Sequence, residues 1–146
     1  MPKPQPPSYF FFCLAASIIL DFVLPVYAIA QPYHYGGVLI FIIGAVLTIW
    51  TDQLFKKYKT TVKPGQESKK LIITGPYKYS RNPMYLGMLL ILLGVSCFLG
   101  SAISFLSPLA FYLIMNFKFI PLEEKMLQQK FGQQFTEYKK QTRTWL

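Results

Sequence analysis

The sequence predicts an all-α fold: an integral membrane bundle of four transmembrane helices, with helices three and four in a tight hairpin and a short cytoplasmic helix at the C-terminus. Three observations predict this class. The 146 residues are 53% hydrophobic, yet Lys and Arg outnumber Asp and Glu by 15 to 6. The apolar residues form long runs. The basic residues lie between those runs and not along one amphipathic face, so we expect no nucleic-acid partner.

The apolar runs define the four helices in order. They cover about residues 9–30, 36–55, 84–99 and 102–120. A helix needs about 20 residues to cross a bilayer, with a range of about 17 to 25, so the first two runs are long enough and the last two come close. Only Gly100 and Ser101 separate the last two runs, which predicts the hairpin. The third helix is expected to begin at Asn82 or Pro83, because Asn is a favoured N-cap and Pro a favoured first residue.

Charge placement predicts the orientation of the bundle. Lys3 precedes the first helix, and every other Lys or Arg lies in the loop 51–82 or from Lys118 onward, in or beside the tail 121–146. Since basic residues collect on the cytoplasmic side, we expect a multi-pass protein with both termini in the cytoplasm. The apolar segment after Lys3 is similar to a secretory signal peptide, but it is long and Asp21 interrupts it, so we expect a retained helix.

Metal and nucleophile chemistry lack suitable residues. His34 is the only histidine, and Cys13 and Cys97 belong to separate apolar runs, so we expect neither a metal site nor a Cys–His nucleophile. No phosphate-binding or dinucleotide-binding glycine motif is present. Transfer of a methyl group from a sulfonium cofactor needs none of these groups, because the protein mainly positions the reactants and excludes water.

The polar ends of the helices suit S-adenosylmethionine. The helix that starts at Pro83 offers the unpaired backbone N–H groups of its first turn, from Met84 onward, to the carboxylate of this cofactor, and Glu123 or Glu124 suits its ammonium. Tyrosines near the same helix start offer stacking surface: Tyr77, Tyr79 and Tyr85. Each feature also has an ordinary explanation, since tyrosines and basic residues anchor helices at the membrane surface and an acidic pair can begin a solvated helix.

Several segments occur in a characteristic order from about Trp50 to the C-terminus. They are Thr60–Pro64, Leu71–Tyr77, Arg81–Gly87 and Glu123–Leu127, followed by Phe131-Gly132, Tyr138 and Trp145. In this order they resemble the isoprenylcysteine carboxyl methyltransferase and phospholipid N-methyltransferase superfamily of small membrane enzymes. The whole chain, residues 1–146, is then expected to form a single methyltransferase domain.

The resemblance implies that S-adenosyl-L-methionine is held between the loop before the third helix and the acidic pair after the fourth. Carried over by position, the cofactor-binding residues are Lys69, Lys70, Leu71, Ile72, Tyr77, Asn82, Pro83, Met84, Tyr85 and Glu123. Arg81 and Glu124 are the implied catalytic residues beside the reaction centre. The implied partners are the lipid bilayer and a lipophilic or small-molecule methyl acceptor.

Two departures from the isoprenylcysteine enzymes bear on the acceptor. Asn82 stands where those enzymes usually have histidine, and Asn cannot act as a titrating base. Phe119, with Lys118 beside it, stands where they have an arginine. A phospholipid amine, a small thiol or quinol-like compound and a prenylcysteine carboxylate therefore stay open as acceptors. A noncatalytic lipid-binding or partner-binding protein on the same scaffold is the alternative from another class. Asp21, a carboxylate in a spanning helix, is open to a functional or a structural reading.

Overall fold

A computed structural model describes residues 5–24, 26, 32–58 and 70–146. This part of the chain is helical and contains no β-strand, only an isolated bridge between Ser80 and Arg143. Its α-helices are α1 (Pro6–Val23), α2 (Gly36–Tyr58), α3 (Pro83–Leu99), α4 (Leu106–Ile114) and α5 (Ile120–Gln141). Short turns of 3₁₀-helix occupy Tyr33–Tyr35, Gly75–Lys78 and Ile103–Phe105, and a π-helical turn occupies Met115–Phe119.

The helices are those of a multi-pass membrane protein. Three segments are long and apolar enough to cross a bilayer: Pro6–Val23, Gly36–Tyr58 and Ile103–Gln141. Helix α3 is apolar but has 17 residues, at the lower end of the length that spans. The outer face of α2 exposes apolar side chains such as Leu39 and Val46, which suits contact with lipid. The predicted cytoplasmic position of both termini stays a prediction.

The first helix is shorter than the predicted 9–30. It begins earlier, at Pro6, and ends at Val23, where Leu24 leaves the helical region with φ −135° and ψ 73°. A proline follows Leu24 in the sequence, and the residue before a proline is disfavoured in helical conformation. Val26 is not helical, and residues 25 and 27–30 lie outside the described residues. The predicted end of this helix was therefore wrong, because apolar composition continued past the point where the backbone turns.

Helices α2 and α3 pack with their backbones in close contact. A Cβ atom added at Gly44 would lie 2.7 Å from the Gly87 carbonyl oxygen, and one added at Gly94 would lie 2.7 Å from the Gly37 carbonyl oxygen. The two glycines on each helix are spaced two turns apart, so each helix presents a flat stripe to the other. This contact fixes α3, whose first turn carries the predicted cofactor residues, against the longest apolar helix.

The link between α3 and the fourth segment is tied by buried serines. Helix α3 ends at Leu99, and Ser96 Oγ donates to the Ser104 carbonyl at 3.0 Å. Ser17 Oγ of α1 donates to the same carbonyl at 3.1 Å. Hydroxyl donors satisfy a buried backbone acceptor at this end of the bundle, so three elements meet there without leaving that carbonyl unpaired.

The sequence predicted a fourth helix over residues 102–120 and a separate helix at the C-terminus. The structure differs from this prediction. A turn of 3₁₀-helix leads into α4, the π-helical turn widens the helix at Met115–Phe119, and α5 continues from Ile120 without a break. The chain bends later, at Gly132, where φ is 49° and ψ is −118°. Charged residues stand at consecutive positions from Glu123 to Lys125, so we place the end of the membrane-spanning part before Glu123.

Two clusters of buried side chains hold the described part of the chain together. The first joins α1, α3 and the fourth segment, and its members include Phe10, Leu92, Phe111, Met115 and Phe119. The second lies outside the spanning part, between the segment before α3 and the C-terminal half of α5: Leu71, Ile72, Tyr77, Phe135 and Tyr138. The predicted cofactor residues Tyr77 and Tyr85 belong to different clusters, Tyr77 to the second and Tyr85 to the first.

Candidate functional site

The segment before α3 is held in place by packing against α5. Tyr77 is 6% exposed, and its carbonyl accepts a 2.7 Å hydrogen bond from the Tyr138 hydroxyl. Phe135 is buried in the same cluster. The bend at Gly132 gives the second half of α5 its own direction, and that half carries both Phe135 and Tyr138. A φ of 49° with a ψ of −118° is a conformation that glycine adopts readily and other residues do not.

Helix α3 begins as predicted, with Asn82 at the N-cap and Pro83 at the first helical position. The expected side-chain cap is absent, however, since the Asn82 side chain makes no capping hydrogen bond. Its Nδ2 instead donates to the Thr144 carbonyl at 3.0 Å. The first turn of α3 therefore carries backbone N–H groups that no side-chain oxygen caps, and such groups attract an anion.

Glu123 is joined to this helix start by one hydrogen bond. The Tyr85 hydroxyl, in the first turn of α3, donates to Glu123 Oε1 in a very short hydrogen bond. Glu123 is 5% exposed and Tyr85 is 6% exposed. The structure thus brings together the start of α3 and the first residue of the acidic pair, which lie 38 positions apart in the sequence.

The Glu123 carboxyl is buried, and no cation among the described residues neutralises it. No Lys or Arg in the described part of the chain forms an ion pair with it, although the protein carries a net charge of +9. Burial raises the pKa of Glu123 to about 8, against a smaller opposing effect of the hydrogen bond from Tyr85. Burial also raises the pKa of Tyr77 well above its usual value, with smaller contributions from Tyr138 and from the negative charge of Glu123. A cation bound beside Glu123 would reverse its shift.

Glu124 has the opposite surroundings. Its Oε1 accepts from Arg81 Nε at 2.9 Å, and its Oε2 lies 2.6 Å from Lys139 Nζ. The Arg81 and Glu124 side chains are 9% and 16% exposed, so this is a largely buried, hydrogen-bonded pair. The adjacent glutamates thus differ in surroundings: Arg81 and Lys139 compensate Glu124, whereas no Lys or Arg among the described residues pairs with Glu123.

Arg81 also binds the C-terminal tail. Its Nη1 donates to the Thr142 carbonyl in a very short hydrogen bond and to the Lys139 carbonyl at 3.3 Å, while Nη2 donates to Thr144 Oγ1 at 2.7 Å. The backbone N–H of Arg81 donates to the Arg143 carbonyl at 2.9 Å. Each guanidinium nitrogen is therefore engaged with the protein.

The other predicted site residues divide into three groups. Pro83 is buried and Met84 half-buried at the start of α3, whereas Leu71 and Ile72 point their side chains into the second cluster. Lys70 is exposed, with Nζ 4.8 Å from the centre of the Tyr58 ring. Lys69 lies outside the described residues. Tyr79, considered as a stacking surface, is 74% exposed, which suits an interfacial anchor better.

Sequence reasoning missed the partners that the C-terminal tail supplies. Thr144 contacts both Arg81 and Asn82, but a lone threonine near a chain end carries no signal of that kind. Asn116, in the π-helical turn, accepts a 3.0 Å hydrogen bond from the Trp145 indole N–H. A polar amide inside an apolar run was the available signal there, since such residues in spanning helices usually have a partner.

Comparison with known proteins indicates the family to which the chain belongs. The model of the family described as "PEMT: Phospholipid methyltransferase" matches residues 32–134, which is more than half of the chain. A protein of Haemophilus influenzae, described only as uncharacterized, is 41% identical over 63 residues, a stretch that covers 43% of this chain and all of that relative.

Proposed function

Because the chain belongs to the phospholipid methyltransferase family, we propose that this membrane methyltransferase uses S-adenosylmethionine to methylate a lipophilic or small-molecule acceptor. The proposed cofactor site lies between the start of α3 and the first turn of α5. Its residues are those named from the sequence that the structure brings together, chiefly Tyr85, Glu123 and the backbone at Met84.

The observation that carries the proposal is the buried carboxyl group of Glu123, which forms no ion pair with any Lys or Arg of the described residues. Burying a carboxylate without a cation is costly, so such a group points to a positively charged ligand. Its partner within the protein is a neutral tyrosine hydroxyl, which leaves the charge itself unpaired. The α-ammonium of S-adenosylmethionine supplies the missing charge, and Glu123 would hold it.

The start of α3 offers the complementary group for the cofactor carboxylate. Asn82 is turned away to Thr144, so the N–H groups of the first turn are not capped by a side chain. An anion near the N-terminus of a helix is stabilised by these N–H groups and by the helix dipole. Glu123 and the helix start are linked through Tyr85, so one amino-acid group, with its ammonium and carboxylate, fits both.

When bound, S-adenosylmethionine would supply a methyl group on a positively charged sulfur, which is a good leaving group. The protein then has to orient the acceptor in line with that group and exclude water. Tyr77 and Tyr85 are both buried, which supports a site of low water content. The Arg81–Glu124 pair would position the loop and α5 relative to each other, with Glu124 facing the acceptor side as a subsidiary proposal.

The acceptor is proposed as a lipophilic molecule that enters from the bilayer, with a phospholipid amine first among the alternatives. A small thiol, a quinol-like compound and a prenylcysteine carboxylate are the competing acceptors. The description of the family supports the phospholipid class, and the exposed apolar faces of α1 and α2 are compatible with lateral entry.

The test is incubation of the purified protein, in detergent or in vesicles, with methyl-labelled S-adenosylmethionine and a total lipid extract. We expect label in a lipid fraction, and identification of the product assigns the acceptor. A parallel incubation with a water-soluble metabolite extract tests the small-molecule acceptors. If the protein binds the cofactor in titration calorimetry but transfers label to no fraction, the noncatalytic alternative replaces the enzyme.

A further inference from the structure

The C-terminal segment 142–145 lies along the loop that leads into α3. We propose that it acts as a clasp that positions the start of α3 for cofactor binding, with Trp145 and Asn116 as the positioning residues that hold the clasp closed. The proposal rests on the proposed function, because the cofactor it serves is the one inferred above. Neither Asn116 nor Trp145 belongs to the cofactor-binding or catalytic residues named from the sequence.

The first step of the argument is the contact between the clasp and the loop. Arg81 donates its backbone N–H to the Arg143 carbonyl at 2.9 Å, and Asn82 donates Nδ2 to the Thr144 carbonyl at 3.0 Å. The Arg81 guanidinium reaches Thr144 Oγ1 at 2.7 Å. The tail therefore takes up the polar groups of both residues that precede α3.

The second step concerns the cap of α3. Asn is among the best N-capping residues, and an Asn side chain left to local preference would accept from an N–H group of the first turn. Here the Thr144 carbonyl holds that side chain elsewhere, and α3 has no side-chain cap. The clasp thus keeps the first-turn N–H groups available for a ligand carboxylate, at the cost of one capping hydrogen bond.

The third step is the anchor of the clasp. The Trp145 indole N–H donates to Asn116 Oδ1 at 3.0 Å, and its ring lies 5.1 Å from the ring of Tyr112. Asn116 belongs to the π-helical turn, a form of helix that is rare and frequently found at functional sites. The clasp therefore ties the start of α3 to the fourth segment, and loosening Trp145 should release Asn82 from Thr144.

The experiment compares Trp145→Phe, which keeps a ring but loses the N–H donor, with Asn116→Leu and the double variant. Leu146→Ala is the matched control, because Leu146 is the neighbouring residue and is 69% exposed. We expect each single variant to raise the Kd for S-adenosylmethionine about tenfold in titration calorimetry, roughly the effect of one lost hydrogen bond. The double variant should bind the cofactor no more weakly than either single variant, because both substitutions remove the same Trp145–Asn116 hydrogen bond. The control should bind normally.

A second measurement separates positioning from general stability. Hydrogen exchange at the backbone N–H of Arg81, which donates to the Arg143 carbonyl, should become faster in both single variants, whereas exchange at Met84 and Tyr85 should become slower as the released Asn82 side chain caps α3, with little change in α2. Unchanged exchange at residues 81–86, or an unchanged Kd in variants with a lower unfolding temperature, overturns the clasp. If the parent protein itself binds no S-adenosylmethionine, the proposed function fails, and the exchange data alone then decide whether the clasp positions α3.

Discussion

Replacing Glu123 with Gln tests the cofactor site because the substitution should change stability and binding in opposite directions. Gln has nearly the same shape and keeps an oxygen that can accept from the Tyr85 hydroxyl. Gln cannot ionise, so the variant has no negative charge to offer a ligand and no ionisable group to bury. We expect the Gln variant to be more stable than the parent in the absence of ligand, and to bind S-adenosylmethionine much more weakly.

The magnitude follows from the surroundings of the carboxyl group. Burial raises the pKa of Glu123 from 4.5 to about 8. At neutral pH this difference in pKa between the unfolded and the folded chain lowers the free energy of unfolding of the parent by roughly 3 kcal/mol, because the buried carboxyl group must either ionise or take up a proton on folding. The Gln variant avoids this cost, so its unfolding temperature should rise by several degrees. Loss of an ion pair with a ligand ammonium in so buried a place should weaken cofactor binding about a hundredfold.

Two measurements decide the matter: titration calorimetry with S-adenosylmethionine and its demethylated product, and thermal unfolding in the same detergent. The matched control is Glu137→Gln, also in α5, where the parent glutamate pairs with Lys140 at 2.9 Å on the surface. The control should change neither the binding constant nor the unfolding temperature measurably. A Glu123→Gln variant that binds the cofactor as tightly as the parent would refute the assignment, whatever its stability.

Three further outcomes are expected. Since the pKa of Glu123 is higher in the folded than in the unfolded chain, the ligand-free parent should lose stability as the pH rises from about 4.5 to about 8. In thermal unfolding, the extra stability of Glu123→Gln over the parent should be smallest near pH 5 and grow toward pH 8. A stability difference that does not depend on pH would contradict the direction of the pKa shift. Gly94→Ala places a Cβ 2.5 Å from the Phe41 backbone nitrogen and should cost about 1–3 kcal/mol, whereas Gly36→Ala, with open space, should cost nothing comparable. In Gly132→Ala the new Cβ also meets open space, so the expected loss of about 1–3 kcal/mol of stability and of cofactor affinity comes from the positive φ at this position. A variant equal to the parent in thermal unfolding and in calorimetry would show that the bend is unimportant.

Local signals predicted the helices well where composition and backbone preference agree. The start of α2 at Gly36 and the Asn82-Pro83 start of α3 follow from composition and capping chemistry within a few residues of each boundary. The end of α1 was wrong because the apolar run continues past Leu24, although the proline after it disfavours helix. The continuity of α4 with α5 was missed because a change from apolar to charged composition marks the membrane surface and not the end of a helix.

The candidate site was named from the order of its motifs, but its chemistry was not predictable in that way. Glu123 and Glu124 are neighbours of the same residue type, and only the family resemblance assigned them different roles. In the structure Arg81 and Lys139 compensate Glu124, while Glu123 faces Tyr85. The roles of adjacent acids therefore depend on which cations reach them.

The sequence by itself determined that this chain is a helical membrane protein with polar segments at one predicted face, since hydrophobic length and charge placement act locally along the chain. It also determined where α3 begins. Only the tertiary structure decided that the Asn82 side chain binds the Thr144 carbonyl and not its own helix, and that Glu123 is buried with no ion pair to a described Lys or Arg. The physical reason is that burial and long-range hydrogen bonds depend on elements brought together by folding: the start of α3, the first turn of α5 and the last residues of the chain.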